Sequence, residues 1–272
     1  MDITVRYLLL LLTILMSFSA HGKVTHVTIY ADNDYPPYSY TSANQPTGIY
    51  TDILKKAFSR MENYRVKIVP VPWKRGLSYL QNGKGFAIYP PYYRPQQRPY
   101  IGTYSTPILE ERVVVFCTEE TMKAQHRPRW PEDYYGLKIG TNSGFELGGD
   151  QFEKAVQQNL IQVQKSGGNQ TNLIKLGLGR INCYMNDRIS ILFELKQLIN
   201  EGKYSPGKKH ARFLEGATVT EELGYLGFSN QDNNLYPFKA DFIKQFNQII
   251  DKMKERNEIQ PVIDRYTSNP QP

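Results

Sequence analysis

An arginine can hold a carboxylate by two parallel charge-assisted hydrogen bonds, an aspartate can take an ammonium, and an aromatic face can pack an apolar body or a cation. The sequence repeats these residue types in short proline- and glycine-bearing stretches. "DNDYPPYSY" carries Asp32, Tyr35 and Tyr38, and "PVPWKR" carries Trp73. "PPYYRPQQRPY" (Pro90–Tyr100) carries Tyr92, Tyr93, Arg94 and Arg98. "TNSGFE" carries Asn142, Gly144 and Phe145, and "NDR" carries Asp187. Arg98 and Asp187 together have the chemistry to grip a zwitterion at both ends. A helix beginning after Gly144 would add free N–H groups for an anion. Arg94 is either a second anchor or a solvent-facing charge. Plainer readings stand beside these: Arg98 in a surface ion pair, Tyr35, Tyr38 and Trp73 as loop packing, and Asp187 as the cap of a helix beginning at Ile189.

Other chemistries lack their signatures. "NSGFELGG" fits neither the dinucleotide fingerprint nor the phosphate loop. The four histidines are scattered without an HxxxH pair, neither cysteine has a CxxC partner, and there is no G-x-S-x-G elbow. No metal and no cofactor are expected. The net charge is +7, but lysine and arginine are spread along the chain, so no nucleic-acid partner is expected.

Residues 1–20, "MDITVRYLLLLLTILMSFSA", place Arg6 before an apolar run and end in small residues. This is the pattern of a cleavable secretory signal, with an apolar run too short to span a membrane comfortably. The mature chain is then expected to begin near residue 21, in an exported, oxidising space. There Cys117 and Cys183 are expected to pair as a disulfide, the alternative being two buried thiols acting as small hydrophobes.

The elements that must position the site follow from periodicity. Strands are expected at Lys23–Ala31, "YRVKIVPVPW" and "GFAIYP", with helices at Gly48–Met61 and "RGLSYLQNGK" between them. A β-branched strand, Glu111–Thr118, leaves this unit. A second β/α series follows: "LKIGT", "DQFEKAVQQ", "IQVQKSG", "QTNLIKLGL", "RINCYMND" and "ISILFELKQLI". "LGYLGFS" is a last strand, and one continuous helical stretch runs from Phe238 to Tyr266. Two α/β units result, and ligands favour the carboxyl ends of strands in such units.

The order of these features resembles the bacterial extracellular solute-binding proteins of family 3. "DYPPYSY" with "PTGIYTDILKKAF", "RPYIGTYSTPI", "LKIGTNSGFE" and "LGLGRINCYMND" carry the resemblance, which spans Val24 to Tyr266. It implies an α/β, two-lobed periplasmic-binding-protein fold of type II. Lobe 1 would be discontinuous (21–110 and 221–272), lobe 2 would be 111–220, and two hinge crossovers would lie near Ile108–Val113 and Val219–Gly224. Both cysteines would fall in lobe 2. By the same resemblance Arg98 holds a ligand carboxylate, Asp187 takes its α-amino group, Tyr35 and Trp73 flank its side chain, and Asp32 lies nearby. The implied function is a receptor, not an enzyme. It would be a monomer that captures an amino acid, another carboxylate or a related small metabolite and delivers it to the membrane permease of an ABC importer. The alternatives are an exported sensor for a membrane partner and an enzyme on the same fold, such as a dehydratase. The chain departs from the family pattern at Phe86, Pro91, Tyr93, Pro95, Phe145 and Asn182. Several small hydroxyl positions have become aromatic, which favours an aromatic, amphipathic or bulky ligand.

Overall fold

The first strand, β1 (Thr25–Asp32), alternates as a half-buried strand should, with Val27, Ile29 and Ala31 turned into the core. The structure, a computed structural model, describes residues 24–143 and 147–268. The expected signal segment and the sites assigned to Gly144 and Phe145 lie outside the described residues. After β1 comes a small antiparallel sheet that the sequence reading did not foresee: β2 (Asp34–Tyr35), β3 (Ser39–Ser42) and β4 (Gln45–Thr47). Its strands are too short to show a period. Helix α1 (Ile49–Phe58) buries Ile49, Tyr50, Ile53, Leu54, Ala57 and Phe58. Gly48 starts it at φ +111°, where a Cβ would stand 2.5 Å from the Tyr38 carbonyl oxygen, so only glycine fits.

The first unit continues with β5 (Tyr64–Val71), α2 (Trp73–Gln81), β6 (Ala87–Tyr89) and β7 (Ile101–Tyr104). The chain then runs through β8 (Leu109–Thr118) and α3 (Glu119–Ala124), whose first turn is capped by the Thr118 hydroxyl. The second unit holds β9 (Lys138–Asn142), α4 (Gly149–Gln157), β10 (Gln162–Ser166), α5 (Asn169–Gly177), β11 (Cys183–Asp187) and α6 (Arg188–Asn200). The chain returns along β12 (Phe213–Gly224) and finishes with β13 (Gly227–Ser229), α7 (Lys239–Glu255) and α8 (Gln260–Thr267).

Two five-stranded sheets result, in the orders β5-β1-β6-β13-β7 and β10-β9-β11-β8-β12. In the first, β1 runs parallel to β5 and β6, while β13 is antiparallel to its neighbours. In the second, β9 runs parallel to β10 and β11, while β8 is antiparallel to β11 and β12. Phe242, Phe246, Ile250 and Met253 of α7 pack on the first sheet with Val27 and Ile29. β8 is buried on both faces: Val115 and Cys117 face one cluster, Val114 and Phe116 the other. Cys117 and Cys183 stand opposite each other in the β8–β11 ladder and form a disulfide.

Two expectations are corrected. The terminal helical stretch is two helices, because Asn257 takes a left-handed φ of +52° after α7 and Pro261 suits the first turn of α8. The strand expected at "LGYLGFS" is split between the end of β12 and β13. β12 itself was not foreseen, since it is a bulged edge strand whose polar run "FLEGATVTEELG" lacks alternation.

Candidate functional site

Residues opposite each other across a ladder share a face of the sheet, and so do residues two apart on one strand. Glu111 of β8 is opposite Glu222 of β12. Val113, two residues on, is opposite Asp187 of β11. Three carboxylates therefore share one face across three neighbouring strands.

Glu111 is only 4% exposed. Its Oε1 accepts the Tyr50 hydroxyl at 2.6 Å and its Oε2 accepts Tyr92 at 2.6 Å. Tyr35 also donates to Oε2. Burial, joined by the like charge of Asp187, pushes the Glu111 carboxyl up to about 7, against the lowering effect of the three phenol hydrogen bonds. Burial and the Glu111 charge raise the three phenols as well, which keeps them neutral donors. Asp187 is the N-cap of α6: its Oδ1 accepts the Ser190 N–H at 2.7 Å, and its Oδ2 accepts the Tyr38 hydroxyl at 2.7 Å. Burial raises its carboxyl too. Among the described residues, neither Glu111 nor Asp187 forms an ion pair. Glu222 does, with Arg94, whose guanidinium lies 5.8 Å from the Tyr92 ring centre.

These groups border a cavity of about 490 Å³. Asp34, Tyr35 and Pro36 wall it from the loop after β1, and Tyr92 from the proline-rich loop. Glu111, Val113 and Glu222 come from the β8–β12 ribbon, and Asn142, Leu147, Asn169, Asn186, Asp187 and Ser190 from the second unit. The asparagines are tied to one another. Asn142 and Asn186 donate to Asn169 Oδ1 at 2.9 and 2.7 Å, and Asn169 donates to the Ser190 carbonyl at 3.4 Å.

The residues singled out from the sequence divide between the cavity and its surroundings. Tyr35, Tyr92, Asn142 and Asp187 line it. Tyr38 is fully buried behind it, stacked on Tyr35 with ring centres 4.9 Å apart. Asp32 accepts the Asp34 N–H at 3.1 Å and lies outside the lining, its carboxyl raised by burial. Arg98 and Trp73 are not in the lining either. The Arg98 guanidinium sits 5.4 Å from the Trp73 ring centre, within cation–π range. Tyr93 is 57% exposed and turns its ring to Tyr104. Glu111, Tyr50, Glu222, Asn169, Asn186 and Ser190 were not foreseen. The available signal for Glu111 was an acid close before the apolar run Val113–Cys117 of the same strand.

Two β/α sheets joined by a two-stranded ribbon, with a walled cavity where they meet, define a type II periplasmic-binding-protein fold. The family model described as bacterial extracellular solute-binding proteins, family 3, matches residues 27–269, and the chain belongs to that family. Substrate-binding domain 2 of GlnP from Lactococcus lactis, in an open conformation, aligns with a TM-score of 0.68 at 18% identity, over 92% of this chain and 100% of that one. A polar amino acid ABC uptake transporter substrate-binding protein from Streptococcus thermophilus aligns at 0.65 and 17%, over 90% and 86%. An ancestral cationic amino acid solute-binding protein aligns at 0.63 and 17%, over 89% and 96%. No curated protein matches the chain in sequence.

Proposed function

We propose that this chain is an exported, monomeric receptor that captures an amino acid or related small metabolite in the cavity between its two sheets and delivers it to the permease of an ABC importer. The observation that carries this reading is the cavity itself, which both units wall and which presents the buried carboxylate of Glu111 and the half-buried one of Asp187 among aromatic rings. Its volume lies within the range of small-molecule sites. Residues 21–110 with 221–272 act as one lobe and 111–220 as the other. The paired strands β8 and β12 serve as the hinge, because both run from the first unit into the second sheet. Tyr38 reaches across to Asp187, so closure and ligand capture draw on the same aspartate. A ligand that contacts both lobes favours the closed state by its differential affinity for it.

Calorimetric titration of the mature protein with a library of small solutes tests this, followed by small-angle scattering with the best binder. The expected result is one solute that binds at a single site and reduces the radius of gyration. A protein that binds no small solute would not be a receptor of this kind.

A further inference from the structure

Building on the receptor reading, we infer that the ligand of this cavity is a small organic amine cation without a carboxylate. The first support is the uncompensated charge. The hydrogen bonds that Glu111 and Asp187 receive come from neutral groups, the phenols of Tyr35, Tyr38, Tyr50 and Tyr92 and the Ser190 N–H among them, and among the described residues no cationic side chain pairs with either. Like charges directly opposite in a ladder destabilise it, and a buried carboxylate without a counter-ion costs still more. The ladder nonetheless sets Glu111 against Glu222. An ammonium group placed between Glu111 and Asp187 would supply the missing charge. The acidity is local, because the whole chain is at +7.

The second support is what the lining lacks. Among the described residues no lysine, arginine or histidine lines the cavity. Arg94 is held by Glu222, and Arg98 is spread over Trp73. The amide of Asn186 donates to Asn169 and Tyr184, and those of Asn142 and Asn169 donate to Asn169 and Ser190. Among the described residues, a ligand carboxylate would meet four lining acids, Asp34, Glu111, Asp187 and Glu222, and no lining cation. The remaining walls, Tyr35, Tyr92, Val113 and Leu147, suit an alkyl or aryl body behind the ammonium.

Matched pairs isolate the carboxylate: cadaverine against lysine, agmatine against arginine, and tyramine against tyrosine. Each is titrated by calorimetry into the mature wild type, Glu111→Gln and Arg98→Ala. At least one amine is expected to bind about tenfold or more tighter than its parent amino acid, a difference of about 1.4 kcal/mol. Glu111→Gln should weaken that amine by a similar factor, and Arg98→Ala should leave it unchanged. If Glu111→Gln fails to fold, Asp187→Asn replaces it, since asparagine also caps helices well. A parent amino acid that binds tighter than its amine and is lost in Arg98→Ala would overturn the amine assignment and leave the receptor reading standing. So would a library solute that binds when no member of any pair does. If no solute of any kind binds, both readings fall.

Discussion

Glu111 and Glu222 face each other across the β8–β12 ladder, yet their charges are treated differently. Glu222 has the guanidinium of Arg94. Among the described residues, Glu111 has three tyrosine hydroxyls and no cation. Phenols can satisfy the lone pairs of a carboxylate but cannot cancel its charge. One face of the ribbon therefore carries an electrostatic debt at the place where both units wall the cavity.

That debt has a pH dependence whose sign is fixed. Burial raises the Glu111 carboxyl from 4.5 to about 7. Below 4.5 the group is protonated in both the folded and unfolded chains and carries no penalty. Between 4.5 and about 7 the folded chain binds the proton that the unfolded chain has lost, so stability falls as pH rises. Above that window the loss is complete, on the order of 3 kcal/mol. Asp187 is raised by burial as well and acts with the same sign. The ligand-free wild type should therefore lose Tm between about pH 5 and 7.5, and Glu111→Gln should lose less and be the more stable at the upper end. Parallel thermal melts of the two proteins read this directly. Identical slopes would mean that Glu111 carries no raised carboxyl.

Gly224 leaves room for one of the three phenols. A Cβ on Gly224 would fall 1.7 Å from the Tyr50 hydroxyl oxygen, the same oxygen that donates to Glu111. Gly224→Ala should push Tyr50 away and cost roughly 1–3 kcal/mol, as overpacking does. In a Tyr50→Phe background, where the hydroxyl is gone, the same substitution should cost clearly less. A double-mutant cycle by denaturant unfolding measures the difference. Additive costs would show that Gly224 and Tyr50 do not meet.

How much of this was legible in the sequence depends on the range of the interaction. The burial of Val27, Ile29 and Ala31 and the apolar face of α1 are local periodicities, and both were readable. So was the capping of α6 by Asp187, which stands just before that helix. Glu111 acquires its role from Tyr35, Tyr50, Tyr92 and a ladder partner 111 residues further on, on a strand without alternation. No local pattern encodes that meeting. Arg98 was readable as a cation in a site loop, but its direction is set by the Trp73 ring, and that too is a contact between separate loops.

The disulfide should matter for stability and not for the cavity. Cys117 and Cys183 are 66 residues apart in sequence and join strands already held by the β8–β11 ladder. Cross-linking a loop of that length removes unfolded-chain entropy worth up to about 4 kcal/mol. The Cys117→Ser, Cys183→Ser double variant should unfold at lower denaturant by up to that amount, while solute affinity stays within about twofold, a difference near 0.4 kcal/mol. An unchanged unfolding midpoint, or a large loss of affinity, would contradict this division of roles.

Amine binding should consume the ionised form of Glu111, and the groups around it decide the shape of the profile. An ammonium beside Glu111 favours the carboxylate, so binding below about pH 7 must first remove a proton. Asp187 acts in the same direction, its carboxyl being raised by burial. Glu222 is already neutralised by Arg94. Tyr35, Tyr50 and Tyr92 are raised by burial and do not titrate in this range. Affinity should therefore level off above about pH 7 and fall by up to about tenfold per unit below it, as single-proton linkage requires. Calorimetry in buffers of different ionisation enthalpy should show up to one proton released per amine bound near pH 6 to 7. Glu111→Gln should bind weakly, with a flatter profile that follows Asp187 alone. An affinity that does not change across this range in the wild type would remove Glu111 as the charge partner of the ligand, even if an amine binds.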